Sequence, residues 1–161
     1  MLASKRILRY IKSTIDLNIF YWKGCKDELV AYTNIDYAGD IDDRKSTSGY
    51  VFMLSDGAVA WAFNKQPMVT LSTTEAEYVA LVSCAFQFIW MQHILKQIKG
   101  IQSDYVTTFN DNSSTIKLAK NLVFYRRSKH KSVRFHFLRN LIKDGVTNME
   151  FVEQMISLQV S

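Results

Sequence analysis

A chain of 161 residues, 48% hydrophobic and 22% charged, can bury one good core, which excludes disorder as a general description. No stretch rich in Gly, Ser or Pro marks a linker between two domains. Twenty Lys and Arg against 15 Asp and Glu leave a net charge of +5 and a pI near 9.2, a balance that suits an anionic partner such as nucleic acid or a membrane surface.

Lys5, Arg6, Arg9 and Lys12 surround Ile7, Leu8 and Ile11 near the start, a pattern that predicts a helix with a solvated basic face. Leu17–Trp22 and Leu29–Ile35 read as strands around the turn at residues 23–27, and Gly49–Leu54 and Ala58–Phe63 as a hairpin closed through Ser55, Asp56 and Gly57. The period then changes. Tyr78, Leu81, Val82, Ala85, Ile89 and Leu95 fall at helical spacings over about six turns. Ser72 or Thr74 can cap this helix, with Glu75 or Glu77 as the capping partner. Val106–Phe109 predicts a short buried strand, Ser114–Lys120 a capped helix, Val133–Lys143 a helix stopped at Gly145, and Met149–Val152 a last strand. This order describes an α/β sandwich with a mixed sheet. The run from Tyr78 to Ile98 is broken by Gln87, Gln92, His93 and Lys96 and reads as a core helix, with no membrane span. Cys25 and Cys84 lack metal-ligand spacing, as expected of reduced thiols in an intracellular protein. Trp22, Trp61, Trp90 and most tyrosines are expected in the core.

Three acids stand where the chain changes direction: Asp36 after a strand, Glu77 early in the long helix, and Asp111 after another strand. Magnesium prefers oxygen ligands, and phosphodiester hydrolysis commonly uses two such ions. Convergence of the three carboxylates at one point is therefore the testable expectation. Each also has a plain local reading, as a turn residue, a capping partner and a helix cap.

The words around the acids are more specific. Asp36-Tyr37-Ala38-Gly39-Asp40, followed by Asp43-Arg44-Lys45-Ser46-Thr47-Ser48-Gly49-Tyr50, resembles the opening motif of the ribonuclease H domain of copia-type retrotransposon Pol polyproteins. Lys65-Gln66-Pro67, Leu71-Ser72-Thr73-Thr74-Glu75-Ala76-Glu77-Tyr78 and Ile89-Trp90 resemble its second. Asp111-Asn112 with Ala119-Lys120-Asn121, and Lys129-His130 leading to Arg134-Phe135-His136-Phe137, resemble the third and fourth. Residues 1–22 look like the connection leaving the reverse transcriptase, and 23–161 like the RNase H-like domain.

The resemblance implies a five-stranded mixed sheet flanked by helices and cleavage of the RNA strand of an RNA/DNA hybrid with two Mg²⁺. By position it makes Asp36, Glu77 and Asp111 the catalytic and metal-binding carboxylates, Glu77 being preferred to Glu75. It also implies the reverse transcriptase domain as a partner, and neither a small-molecule substrate nor a membrane. Arg44, Lys45, Arg126, Arg127, Lys129 and His130 are the candidate contacts to nucleic acid phosphates. The chain departs from the family in its tail: the Ala-Asp pair of a C-terminal helix is missing, and Glu153 is the only nearby acid. Ser132 stands where an acid is usual, and Leu122 where proline is usual. A C-terminally incomplete domain is expected, with impaired catalysis or none.

Overall fold

The computed structural model describes residues 2–18, 29–54, 57–99, 105–120 and 129–152. Its elements in chain order are α1 (Leu2–Ser13), β1 (Leu29–Asp36), β2 (Thr47–Leu54), β3 (Gly57–Lys65), α2 (Thr73–Lys99), β4 (Val106–Asn110), α3 (Ser113–Lys120), α4 (Lys129–Lys143) and β5 (Thr147–Phe151). The strands form one five-stranded sheet in the order β3-β2-β1-β4-β5. β1, β2 and β3 are antiparallel neighbours, whereas β4 runs parallel to β1 and β5 parallel to β4. This is the mixed sheet with flanking helices that the resemblance implies. Of the strand expected at Leu17–Trp22, Leu17 and Asn18 lie outside any helix or strand; the remainder, the turn at 23–27 and Cys25 fall outside the described residues.

Helix α2 organises the core because apolar residues cover most of its circumference. Tyr78, Leu81, Val82 and Ala85 pack with Ile116, Ala119, Leu138 and Met149, joining α2 to α3, α4 and β5. Cys84, Phe88 and Met91 pack with Leu29, Ala31, Phe52 and Val106, seating α2 on β1, β2 and β4. By length and composition Thr73–Gln97 could cross a membrane, but these contacts make it the core helix. Burial holds the Cys84 thiol well above its ordinary pKa. The strand faces follow: Leu29, Ala31 and Thr33 turn toward α2 and are fully buried, whereas Val30, Tyr32, Asn34 and Asp36 take the opposite face.

The structure overturns the core expectation for both described tryptophans. Trp61 is 67% exposed and Trp90 58% exposed. Trp61 lies on edge strand β3 and shares the outer face with its partner Val51. Trp90 follows Phe86 by one turn on the side of α2 away from the sheet, and both are exposed. Among the described tyrosines only Tyr78 is deeply buried, while Tyr10, Tyr37 and Tyr105 are exposed.

The stop of α4 is chemical. Gly145 has φ +70°, and the Gly145 and Val146 amides donate to the Ile142 and Leu141 carbonyls at 3.2 and 2.9 Å, closing the last turn. A Cβ at Gly145 would meet nothing within 4 Å, so Gly145→Ala carries only the backbone penalty. Its expected loss is about 1 kcal/mol in urea unfolding; an unchanged midpoint would count against this cap.

Candidate active site

The candidate site lies at the carboxyl ends of the parallel strands β1 and β4, where α2 begins. Two acids near its start have separate tasks. Glu75 belongs to the cap: its amide donates to Ser72 Oγ at 3.2 Å, and its Oε2 accepts from the Leu71 amide at 2.9 Å. Glu77 turns inward, is 5% exposed, and accepts from Asn110 Nδ2 at 2.9 Å. Burial raises its pKa to about 7; the Asn110 hydrogen bond works in the opposite direction, and the negative charge of Asp111 adds to the rise.

Asn110 is a candidate site residue that the sequence does not single out. It is fully buried, and its Nδ2 also donates to Thr33 Oγ1 at 3.0 Å. Its Oδ1 accepts from the Asn112 amide at 2.9 Å, and Asn112 Oδ1 in turn caps α3 through the Thr115 amide. One side chain thus ties β1, α2 and the β4–α3 turn together, holding Asp111 beside Glu77. No local signal marks it, since its partners are 77 and 33 residues away in sequence.

Asp36 does not join them. Among the described residues no three His, Cys, Asp or Glu side chains stand close enough to hold a metal ion. Strand parity is the reason: Asp36 pairs with Thr47 on the face away from α2, exposed, with its carboxylate lying over Gly39, where a Cβ would come within 2.0 Å of Oδ2. The β1–β4 ladder reaches Tyr32↔Phe109. Its continuation sets Asn34 level with Asp111, and Asp36 lies two residues further on.

The basic candidates divide similarly. Lys45 is ion-paired with Asp43 at 3.2 Å, and Lys65 binds both Asp40 and Asp43. The Lys65 ammonium holds the Asp40 carboxyl far below the usual range and raises its own pKa in return. Arg44, at φ 55°, is exposed beside them. Lys129 and His130 open α4; Arg126, Arg127 and Glu153 lie outside the described residues.

Comparison with known proteins places this arrangement. No family model matches the chain. It is 41% identical over 142 residues to the retrovirus-related Pol polyprotein from transposon TNT 1-94 of Nicotiana tabacum, covering 88% of this chain and 10% of that protein. It is 37% identical over 151 residues to the Pol polyprotein from transposon RE2 of Arabidopsis thaliana, covering 93% and 10%. The chain belongs to the copia-type retrotransposon Pol family. It spans about a tenth of the length of these curated relatives. In fold it resembles the solved structure of LC11-RNase H1, with a TM-score of 0.56 at 15% identity over 81% of this chain and 86% of that one. The same protein has been solved in complex with an RNA/DNA hybrid, at a TM-score of 0.55 and 11% identity over 79% and 86%. Within the Pol polyprotein this chain is thus the RNase H-like portion.

The chemistry of the Glu77 and Asp111 carboxylates suits a divalent ion. A buried carboxylate whose pKa is raised by burial and by a neighbouring acid lacks positive charge, and Glu77 with Asp111 could hold a magnesium ion whose remaining positions are water. A two-ion site needs more carboxylates than this pair offers.

Proposed function

We propose that this domain acts on RNA/DNA hybrids as a magnesium-dependent ribonuclease H, with Glu77 and Asp111 as its principal carboxylates and Asp36 as a further acid at the same end of β1. The observation that carries this reading is the buried Glu77 carboxylate, kept beside Asp111 by Asn110 at the ends of two parallel strands. A core acid that opposes its own ionisation contributes nothing to folding above pH 7, and such groups collect at sites of chemistry. The hybrid-bound relative supports the choice of substrate.

In this reading Asn110 and Thr33 orient Glu77, and Asp111 adds the second negative charge that draws a cation to the strand ends. A bound magnesium ion supplies positive charge against the phosphate oxygens. Arg44 and the start of α4 meet the backbone of the duplex, whose shape and phosphates carry most of its affinity. The reverse transcriptase of the parent polyprotein is the proposed covalent partner, and the proposed setting is intracellular.

A labelled hybrid incubated with the purified chain and Mg²⁺ should lose its RNA strand. Asp111→Asn should slow this by roughly 10²–10³-fold, and equal rates for the two proteins would reject the reading. A second reading is favoured by the absence of any three-acid group among the described residues: a domain that binds hybrids without cutting them. It predicts retention of the hybrid that falls steeply with salt, and no cleavage at any Mg²⁺ concentration.

A further inference from the structure

A small polar cavity lies between the end of the β2–β3 hairpin and α2. Its volume is about 150 Å³, and it is lined by Ser48 and Tyr50 of β2, Asn64 and Gln66 at and just past the end of β3, and Val79 and Ser83 of α2. All of these are among the described residues, and none belongs to the carboxylate site. Asn64 and Ser83 are exposed and leave one side open to solvent, whereas Gln66 is 2% exposed.

Gln66 is held from three directions. Its backbone amide donates to the Ser46 carbonyl at 2.8 Å, and its side-chain Nε2 donates to Ser48 Oγ at 2.7 Å and to the Ala76 carbonyl at 2.9 Å. The Ala76 carbonyl can only accept, so Nε2 must face it and the side-chain amide cannot be turned over. Oε1 is thereby fixed as a buried acceptor with no partner among the described residues. An acceptor in that state opposes folding, and a donor from a ligand relieves it.

Charge, size and edge chemistry narrow the ligand. No carboxylate lines the cavity to hold a cation, and its one cation, Lys65, is already held by Asp40 and Asp43. A neutral molecule suits it. A cavity of about 150 Å³ admits a single six-membered ring, smaller than a purine. Val79 and Pro67 give apolar surface for the faces of such a ring. Around the Gln66 acceptor stand the Ser48 hydroxyl and the Tyr50 phenol, both able to donate. Burial raises the Tyr50 pKa, so the phenol keeps its proton. Donors around a single acceptor match an N–H flanked by two carbonyls, the imide edge of uracil or thymine. Cytosine, with an amine beside two acceptors, does not offer that order.

We infer that this cavity binds one unpaired uracil or thymine ring, its imide N–H donating to Gln66 Oε1 and its carbonyls accepting from Ser48 and Tyr50. Such binding needs neither a metal ion nor cleavage.

Uridine titrated into the isotope-labelled full-length protein should shift the Gln66 side-chain amide and Val79 methyl resonances, with a Kd of about a millimolar for one buried ring. Cytidine and adenosine are expected to bind at least about tenfold more weakly. Gln66→Met removes the acceptor at nearly constant length and should abolish the response. Because it also cuts the tie to Ala76, Ser83→Met serves as a second variant: a longer side chain at the exposed rim should weaken uridine at least about tenfold, with circular dichroism unchanged. Asp111→Asn, which tests the nuclease reading, should bind uridine as the wild type does, so the two readings fail separately. Thymidine run beside uridine tells a DNA base from an RNA base, and binding of either supports the site. No response to either nucleoside at about tenfold above that Kd would overturn the inference and leave the cavity to ordered water. So would cytidine binding as tightly as uridine, or uridine binding unmoved by Ser83→Met.

Discussion

Glu77→Gln is expected to stabilise the protein above pH 7 while removing its activity. The sign follows from the direction of the shift. The folded pKa is raised from 4.5 to about 7, so the stabilising contribution of the protonated acid is complete below pH 4.5 and is lost as pH rises through about 7. At pH 8 the ionised carboxylate costs about 2 kcal/mol, allowing for partial solvent screening. Glutamine keeps an oxygen for Asn110 Nδ2 and never ionises. In a domain of this size the melting temperature should rise by about 4–8 °C at pH 8, with no gain below pH 4.5. Magnesium should raise the melting temperature of the wild type at pH 8 and leave Glu77→Gln unmoved, because the cation binds the charge that the substitution deletes. Hybrid cleavage should fall by roughly 10²-fold or more. A variant destabilised at pH 8 would show that the buried carboxylate contributes to the fold, contrary to this account.

That opposition between stability and chemistry explains which parts of the molecule could be read in advance. The β2–β3 hairpin, α2, α3, β4 and the stop of α4 follow from local rules: alternation, helical spacing, polar caps, and a glycine placed where φ must be positive. Such rules act over a few residues and are written in the chain. The layer that a side chain meets is not. Trp61 and Trp90 satisfy every local criterion for a core residue, yet β3 is an edge strand and, among the described residues, helices cover one side of the sheet, which sequence periodicity does not reveal. The motifs around Asp36, Glu77 and Asp111 identify the family, but Asp36 takes the parity of Val30 and Tyr32 and leaves the face of Leu29, Ala31 and Thr33. Alternation along β1 held that information, although the motif drew attention to the acid alone. Asn110 was the harder case, because its importance arises only once β1, α2 and β4 are adjacent.

For the same reason Asn110→Ala should be among the most damaging single changes outside the apolar core. The substitution removes the amide that satisfies Glu77 Oε2 and Thr33 Oγ1 and the oxygen that satisfies the Asn112 amide, all within a buried network. Leaving several polar groups without partners costs more than the net worth of the bonds themselves, and about 3 kcal/mol is expected in chemical denaturation at neutral pH. The effect on titration is more diagnostic. Asn110 is the group that lowers the Glu77 pKa against burial and the Asp111 charge, so its loss should move the Glu77 midpoint upward. The pH range over which the protein loses stability, from 4.5 to about 7, should then extend to a higher pH. Asn110→Asp gives the complementary result: an added negative charge beside Glu77 should raise its pKa further and tighten Mg²⁺ binding, because three carboxylates would surround one position. Unchanged Glu77 titration in Asn110→Ala, followed by NMR of the labelled carboxyl, would separate Asn110 from the site and leave it a structural residue only.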